Sequence, residues 1–351
     1  MPDTAAFNAE IIQSSARVIA ADAAERLLAQ CPQAHAFGDP PFQAWHEHLT
    51  ARLTELAAAM RAGEPNLFRA RLAWARAAFE SRALDLAELS ASLTAIAHAL
   101  ADQLPPGGAD AARPYLDAAA AALNGDPAHH TPEIGGRCGD IAARYLLALL
   151  EGDRRAATEV ITDACDAGLS PQDAMLEVLI PVEREVGRMW HLGELAVGEE
   201  HFVTATANLV LGTLRTRLPM AEPNGRSVLI ASVIGNSHEL AGRVAGLLLE
   251  SAGWRVIDLG SETPAPDLVR AAADFRADLI ILGAMLSTQA EAARRAIAAI
   301  RADPDTADTP VIVGGHVFDE APDLWKKIDA DAHARTIAGI VELASSTSRA
   351  G

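Results

Sequence analysis

The sequence predicts an α and α/β protein: an amino-terminal helical bundle, a second helical bundle, then a doubly wound domain on a parallel sheet. Three observations carry this. Apolar residues recur in steps of three and four through the chain ahead of Pro223. After Pro223-Asn224-Gly225 the pattern turns strand-like. Beyond that point short β-rich runs alternate with helical stretches, an order that gives parallel strands covered by helices on both faces.

In order along the chain, Ile11, Ile12, Val18, Ile19 and Leu27 mark a first helix. Phe42, Trp45, Leu49, Leu53, Leu56 and Met60 fall on one face of a second. Gly63-Glu64-Pro65-Asn66 punctuates, and Phe68, Leu72, Trp74 and Phe79 lie on a third. Leu86, Leu89, Leu93, Ile96 and Leu100 form a fourth stripe, stopped by Pro105-Pro106-Gly107-Gly108. A short alanine-rich helix, Tyr115 to Leu123, closes a bundle domain over 1–125. Asn124-Gly125-Asp126-Pro127, His129-His130 and Gly135-Gly136 read as a linker. A second helical domain is expected over 137–222, where Met189-Trp190-His191 ends one helix at Gly193 and Gly198-Glu199-Glu200-His201 opens the next. The α/β domain, 226–351, has strands at Ser227–Val233, Trp254–Leu259, Leu279–Leu282 and Val311–Val313, with a terminal helix at Ile337–Ala344.

Charge and composition narrow the function. The 351 residues include 29 basic and 47 acidic side chains, a net charge of −18. Affinity for nucleic acid comes largely from Lys and Arg, so direct nucleic-acid binding is not expected, and anionic membranes are disfavoured for the same reason. Cys31, Cys138 and Cys165 have neither disulfide nor zinc spacing and read as small apolar residues in a reducing compartment. The start MPDTAAFNAEIIQ lacks a basic region followed by an apolar stretch, and the densest apolar run, Leu279 to Leu286, is too short to span a bilayer. A cytoplasmic protein is expected.

Ligands of doubly wound folds sit beyond the carboxyl ends of the strands. The first strand runs into Gly235-Asn236-Ser237-His238, the third into Gly283-Ala284-Met285-Leu286-Ser287-Thr288, and the fourth into Gly314-Gly315-His316. A loop histidine at the sheet edge is placed to coordinate something above it, and glycines at the other two ends leave room for a ligand tail. Each signal alone is weak; the three in order point to one ligand.

This order resembles the cobalamin-binding domain of methionine synthase, mutases and corrinoid carriers, a Rossmann-like, flavodoxin-like fold. That family carries Asp-x-His-x-x-Gly, then Ser-x-Leu, then Gly-Gly. The resemblance, over 226–344, implies His238 as the lower axial cobalt ligand and a nucleotide tail lodged near Gly283, Met285, Ser287, Gly314 and Gly315. Water and His316 are the alternatives as lower ligand. Asn236 stands for the Asp, Ala241 for the Gly, and Gly283 and Met285 for the Ser and Leu. Asn236 can accept the same hydrogen bond from the histidine without adding charge, which implies a softer lower ligand. Ser287 or Thr288 would replace the hydroxyl lost at Gly283.

Nine residues separate Trp190 from Glu200-His201. This spacing resembles the helical cap of light-sensing cobalamin proteins of the CarH and AerR types. The resemblance implies adenosylcobalamin as chromophore, with Trp190, Glu200 and His201 lining the pocket of its upper adenosyl group. Light would break the cobalt–carbon bond, and His191 would become the upper axial ligand. The plainer readings are a helix-end His191 on the dipole and first-turn charges at Glu199 and Glu200. CarH-type proteins carry a winged-helix DNA reader, and the first 120 residues here hold no basic recognition helix. The expected output is therefore light-dependent self-association or contact with a protein effector, without enzymatic activity. Trp45, His46, His48, Trp74 and His98 concentrate in the bundle, and the layout is similar to photocobilins, which implies biliverdin as a second chromophore with Arg69, Arg71 or Arg82 on its propionates. The alternatives are a corrinoid methyl-carrier subunit and a haem-binding sensor on the same scaffold.

Overall fold

The computed structural model describes residues 4–124 and 134–347. The predicted linker residues Gly125, Pro127, His129 and His130 lie outside them. The chain forms two compact units. The sequence divides it into three stretches in series, whereas the first unit takes in residues 1–128 together with 285–294 and 316–324, and the second holds the remainder.

The first unit is built on α1 (Thr4–Gln30), α2 (Pro41–Ala62), α3 (Pro65–Ser81), α4 (Leu86–Gln103) and α5 (Gly108–Asn124). The apolar stripe of α2 is buried from Trp45 to Met60, while Phe42 at its start is exposed. Asp85 accepts a hydrogen bond from Ala87 N at 2.8 Å and so caps α4. The α5 helix begins seven residues before the Tyr115 of the sequence reading and accommodates Pro114 in its second turn.

The second unit opens with α6 (Gly139–Leu150), α7 (Arg154–Asp166) and α8 (Pro171–Asp173). A π-helical turn, Ala174–Leu179, leads into α9 (Ile180–Leu192), and α10 (Val197–Arg215) follows after a four-residue turn. Its sheet comprises β1 (Ser227–Ser232), β2 (Arg255–Asp258), β3 (Leu279–Gly283), β4 (Val311–Gly314) and β5 (Ala332–Ala334), with α11 (Leu240–Ser251), α12 (Ala265–Phe275), α13 (Ala290–Ala302), α14 (His316–Glu320), α15 (Leu324–Lys327) and α16 (Ile337–Ser346) interspersed. The sheet order is β2-β1-β3-β4-β5 and every pairing is parallel. Alternate residues serve opposite faces. Val228, Ile230, Leu279, Ile281 and Ile312 join one core with α11 and α16. Leu229, Ala231, Ile280, Leu282 and Val313 point the other way and are equally buried. Each Val, Leu or Ile among them stabilises the fold by about 1.5–3 kcal/mol on burial. The strand order reverses between β1 and β3, and the crevice beyond their carboxyl ends is the expected ligand position.

Candidate functional site

The loop after β1 is fastened at that reversal. Asn236 is buried, and its side-chain amide N–H donates to Gly283 O at 3.2 Å, at the end of β3. This fixes which way the amide points. Its Oδ1 then accepts from His238 N at 3.2 Å and lies 3.0 Å from His238 Nδ1. The Nδ1 therefore carries the proton and donates, which leaves the Nε2 lone pair of an exposed imidazole available to a metal. Ser232, at the end of β1, donates from its hydroxyl to His238 O at 2.8 Å, and Glu262 accepts from Gly235 N at 2.7 Å. Sequence reasoning missed both residues, since neither belongs to a recognisable motif. Ser237, beside the histidine, is exposed.

The glycines at the strand ends play different parts. Gly315 has φ +113°, and a Cβ there would lie 2.0 Å from Ala284 O. It is glycine because the Ala284 backbone, just beyond β3, leaves no space for a side chain. At Gly314 a Cβ would meet only ordinary contacts, the nearest at 3.5 Å. At Gly283 a Cβ would sit 3.1 Å from Ser232 Oγ, so a hydroxyl from the neighbouring strand stands close to where the resemblance expects one. Met285 and Ser287 belong to the first unit. There Met285 N donates to Gln289 Oε1 at 2.7 Å, and the Ser287 hydroxyl is buried without a hydrogen-bond partner. His316 also belongs to the first unit and faces Glu320 Oε1 across 3.2 Å; His333 lies in β5.

The second cluster sits on a helical hairpin. The αL residue Gly193 (φ 77°) ends α9, and its N–H bonds back to Trp190 O. Trp190 and His191 thus occupy the last turn of α9, and Glu200 and His201 the first turn of α10. Glu199 accepts from Ala196 N at 2.7 Å and so caps the start of α10. His201 Nδ1 donates to Val197 O at 3.0 Å, leaving Nε2 outward. Trp190 and Val197 are 42% and 54% exposed, a large apolar surface for a hairpin end. The α10 helix is tied to α11, which starts two residues after His238: Arg243 donates to Asn208 Oδ1 at 2.7 Å and Arg215 grips Glu250 at 2.7 and 2.9 Å.

Beneath the hairpin lies Glu183, which the sequence did not single out. Its Oε2 is 3.3 Å from Thr204 Oγ1, which is 3.1 Å from Glu200 Oε1. Burial pushes the Glu183 carboxyl up to about 7, against the Thr204 hydrogen bond and with the Glu200 charge adding to the rise. Burial likewise raises the Tyr145 phenol, with Glu183 contributing.

In the first unit, the candidate propionate arginines are engaged. Arg71 pairs with Glu320, Arg69 donates to Asn66 Oδ1 at 3.2 Å, and Arg82 to Ala78 O at 2.9 Å. Trp45 is fully buried, stacks on Phe37 at 4.1 Å and donates to Ala34 O at 2.8 Å. These aromatics form packed core. All three cysteines are free, with Cys138 buried. No helix among the described residues is long and apolar enough to cross a membrane.

Among the described residues no three His, Cys, Asp or Glu side chains gather into a metal-binding group. One imidazole with a fixed tautomer suits a metal that brings its own equatorial donors, as a corrin does, and the bare indole of Trp190 suits a broad apolar disc. The residues present fit that group.

Comparison with known proteins agrees. The B12 binding domain family matches residues 226–339, and a second B12 binding domain family matches 141–215. A corrinoid protein of Desulfitobacterium hafniense is 26% identical over 56% of this chain and 93% of its own length. The HTH-type transcriptional repressor CarH of Myxococcus xanthus is 32% identical over 45% of this chain and 55% of its own. Dimethylamine corrinoid protein 3 of Methanosarcina acetivorans is 26% identical over 48% of this chain and 78% of its own. Among solved structures, the monomethylamine corrinoid protein of Methanosarcina barkeri superposes with a TM-score of 0.52 at 18% identity, covering 59% of this chain and 98% of that one. The two families and these relatives support cobalamin binding by this chain.

Proposed function

We propose that this cobalamin-binding chain is a non-catalytic light sensor with adenosylcobalamin as its chromophore. The observation that carries the reading is the α9–α10 hairpin, which gathers Trp190, His191, Glu200 and His201 at one corner in the same unit as His238. When bound, adenosylcobalamin supplies a cobalt–carbon bond that visible light cleaves. The residues do the rest. His238, held through Asn236, provides the lower imidazole. Trp190 packs beside the upper group, and Glu200 and His201 offer it hydrogen-bonding partners. His191, half-buried one position from the indole, would supply a second imidazole to the metal. A rearrangement of the hairpin that brings it there would alter self-association or the docking of a protein effector.

The test is illumination. Protein loaded with adenosylcobalamin in darkness changes its visible spectrum irreversibly under green light, and His191→Ala bleaches without acquiring the spectrum of two imidazole ligands. An unchanged spectrum in the wild-type protein would contradict the reading.

A second reading, a corrinoid methyl carrier, is favoured by the coverage of that Desulfitobacterium protein, 93% of its length. It requires an upper face open to a partner methyltransferase, and a large indole beside a histidine works against that access. The spectrum of the protein as purified separates cobalamin, biliverdin and haem.

A further inference from the structure

Glu183 joins the upper pocket through a proton count. Thr204 Oγ1 is within hydrogen-bond reach of two carboxyl groups, Glu183 at 3.3 Å and Glu200 at 3.1 Å. A hydroxyl has one proton, so both contacts are hydrogen bonds only if one carboxyl is protonated. The two acids differ in surroundings. Glu200 is in the first turn of α10, where the helix dipole favours a negative charge, and its Oε2 is 3.8 Å from His201 Nδ1. Glu183 comes from α9, and its Oε1 is buried with no partner. The groups facing it are Glu200 and Thr204 from α10 and the buried Tyr145 from α6, none of them cationic. Desolvation raises its carboxyl to about 7, so the proton belongs on Glu183. Its O–H donates to Thr204 Oγ1, and the Thr204 O–H donates to Glu200 Oε1.

We propose that Glu183 is a positioning residue for upper-ligand selection: its protonated carboxyl orients Thr204, which holds the Glu200 carboxylate as a fixed acceptor for the hydroxyl donors of a nucleoside. An axial group without donors, such as methyl, gains nothing from it. Once Glu183 ionises, two carboxylates compete for the one Thr204 proton and Glu200 loses its fixed orientation. Selection is then weaker above the Glu183 pKa than below it. The inference rests on the proposed reading that Glu200 lines the upper pocket.

Two measurements separate the inference from that reading. In cofactor-free protein, infrared titration shows a protonated-carboxyl band that disappears as pH rises through about 7 and is missing in Glu183→Gln. Absence of that band overturns the inference, whatever cobalamin does. In darkness, the ratio of affinities for adenosylcobalamin and methylcobalamin falls roughly tenfold across the same pH range in wild-type protein, the size expected for one hydrogen bond to a charged group. Glu183→Gln, whose amide N–H donates to Thr204 at every pH, keeps the high ratio on both sides. Glu183→Leu and Thr204→Val give the low ratio on both sides; thermal melts of the four proteins establish that each is folded. A wild-type ratio that does not vary with pH, with Glu183→Leu unchanged, overturns the positioning role. If the band titrates but Glu200→Gln also leaves the ratio untouched, the upper-pocket reading has failed, and the role for Glu183 falls with it while its protonation stands.

Discussion

Asn236 decides how well His238 can act. A buried amide whose N–H is spent on Gly283 O presents only its oxygen to the imidazole, and that holds the ring as the Nδ1–H tautomer. Removing such an outer partner typically costs 10–100-fold in metal affinity. Asn236→Ala is therefore expected to weaken cobalamin binding by about that factor, and Asn236→Asp to strengthen the lower ligand, both measured by spectral titration. The histidine itself was legible in the sequence from its order with the later glycines. The amide orientation was not, because it depends on a carbonyl 47 positions away. Glu183 was hidden for a related reason: nothing in its local sequence reveals that Tyr145, Thr204 and Glu200 surround it.

At the level of elements, the long helices and the strands β1 to β4 followed from period and punctuation. The short helices α14 and α15 did not, since four or five residues make little more than one helical turn and cannot establish its period. The α9–α10 hairpin was readable because Gly193 stops one helix and acidic residues open the next. The Gly314-Gly315 pair was found, but the backbone constraint on its second member was not. A side chain at Gly315 would collide with the Ala284 carbonyl, and no sequence pattern distinguishes that glycine from one that leaves a space. Gly315→Ala is expected to lower unfolding free energy by about 3 kcal/mol or more in denaturant titrations. Gly314→Ala meets only ordinary contacts, so its stability should stay near wild type. If the nucleotide tail of cobalamin lies there, Gly314→Ala loses cobalamin affinity while remaining folded, and equal affinity would place the tail elsewhere.

Across the whole molecule, the first unit draws on distant parts of the chain. Arg71 of α3 and Glu320 of α14 form an ion pair with both side chains 6% exposed, although 249 positions separate them. His316 adds a ring nitrogen to the same carboxylate. Breaking a buried pair leaves one charge without a partner and costs about 3–5 kcal/mol. Arg71→Ala should therefore destabilise the first unit by about that amount, whereas Arg71→Met with Glu320→Met should recover most of it, as judged by chemical denaturation. Local periodicity assigns residues 316–324 to the α/β stretch, and only a long-range partner moves them into the first unit. The account as a whole stands on His238 replacing the cofactor's own benzimidazole beneath cobalt. Electron paramagnetic resonance of protein loaded with cob(II)alamin, grown with ¹⁵N-histidine, tests this directly. A nitrogen splitting that changes from triplets to doublets on labelling, and vanishes in His238→Ala, is the predicted result; triplets that persist unchanged would contradict it.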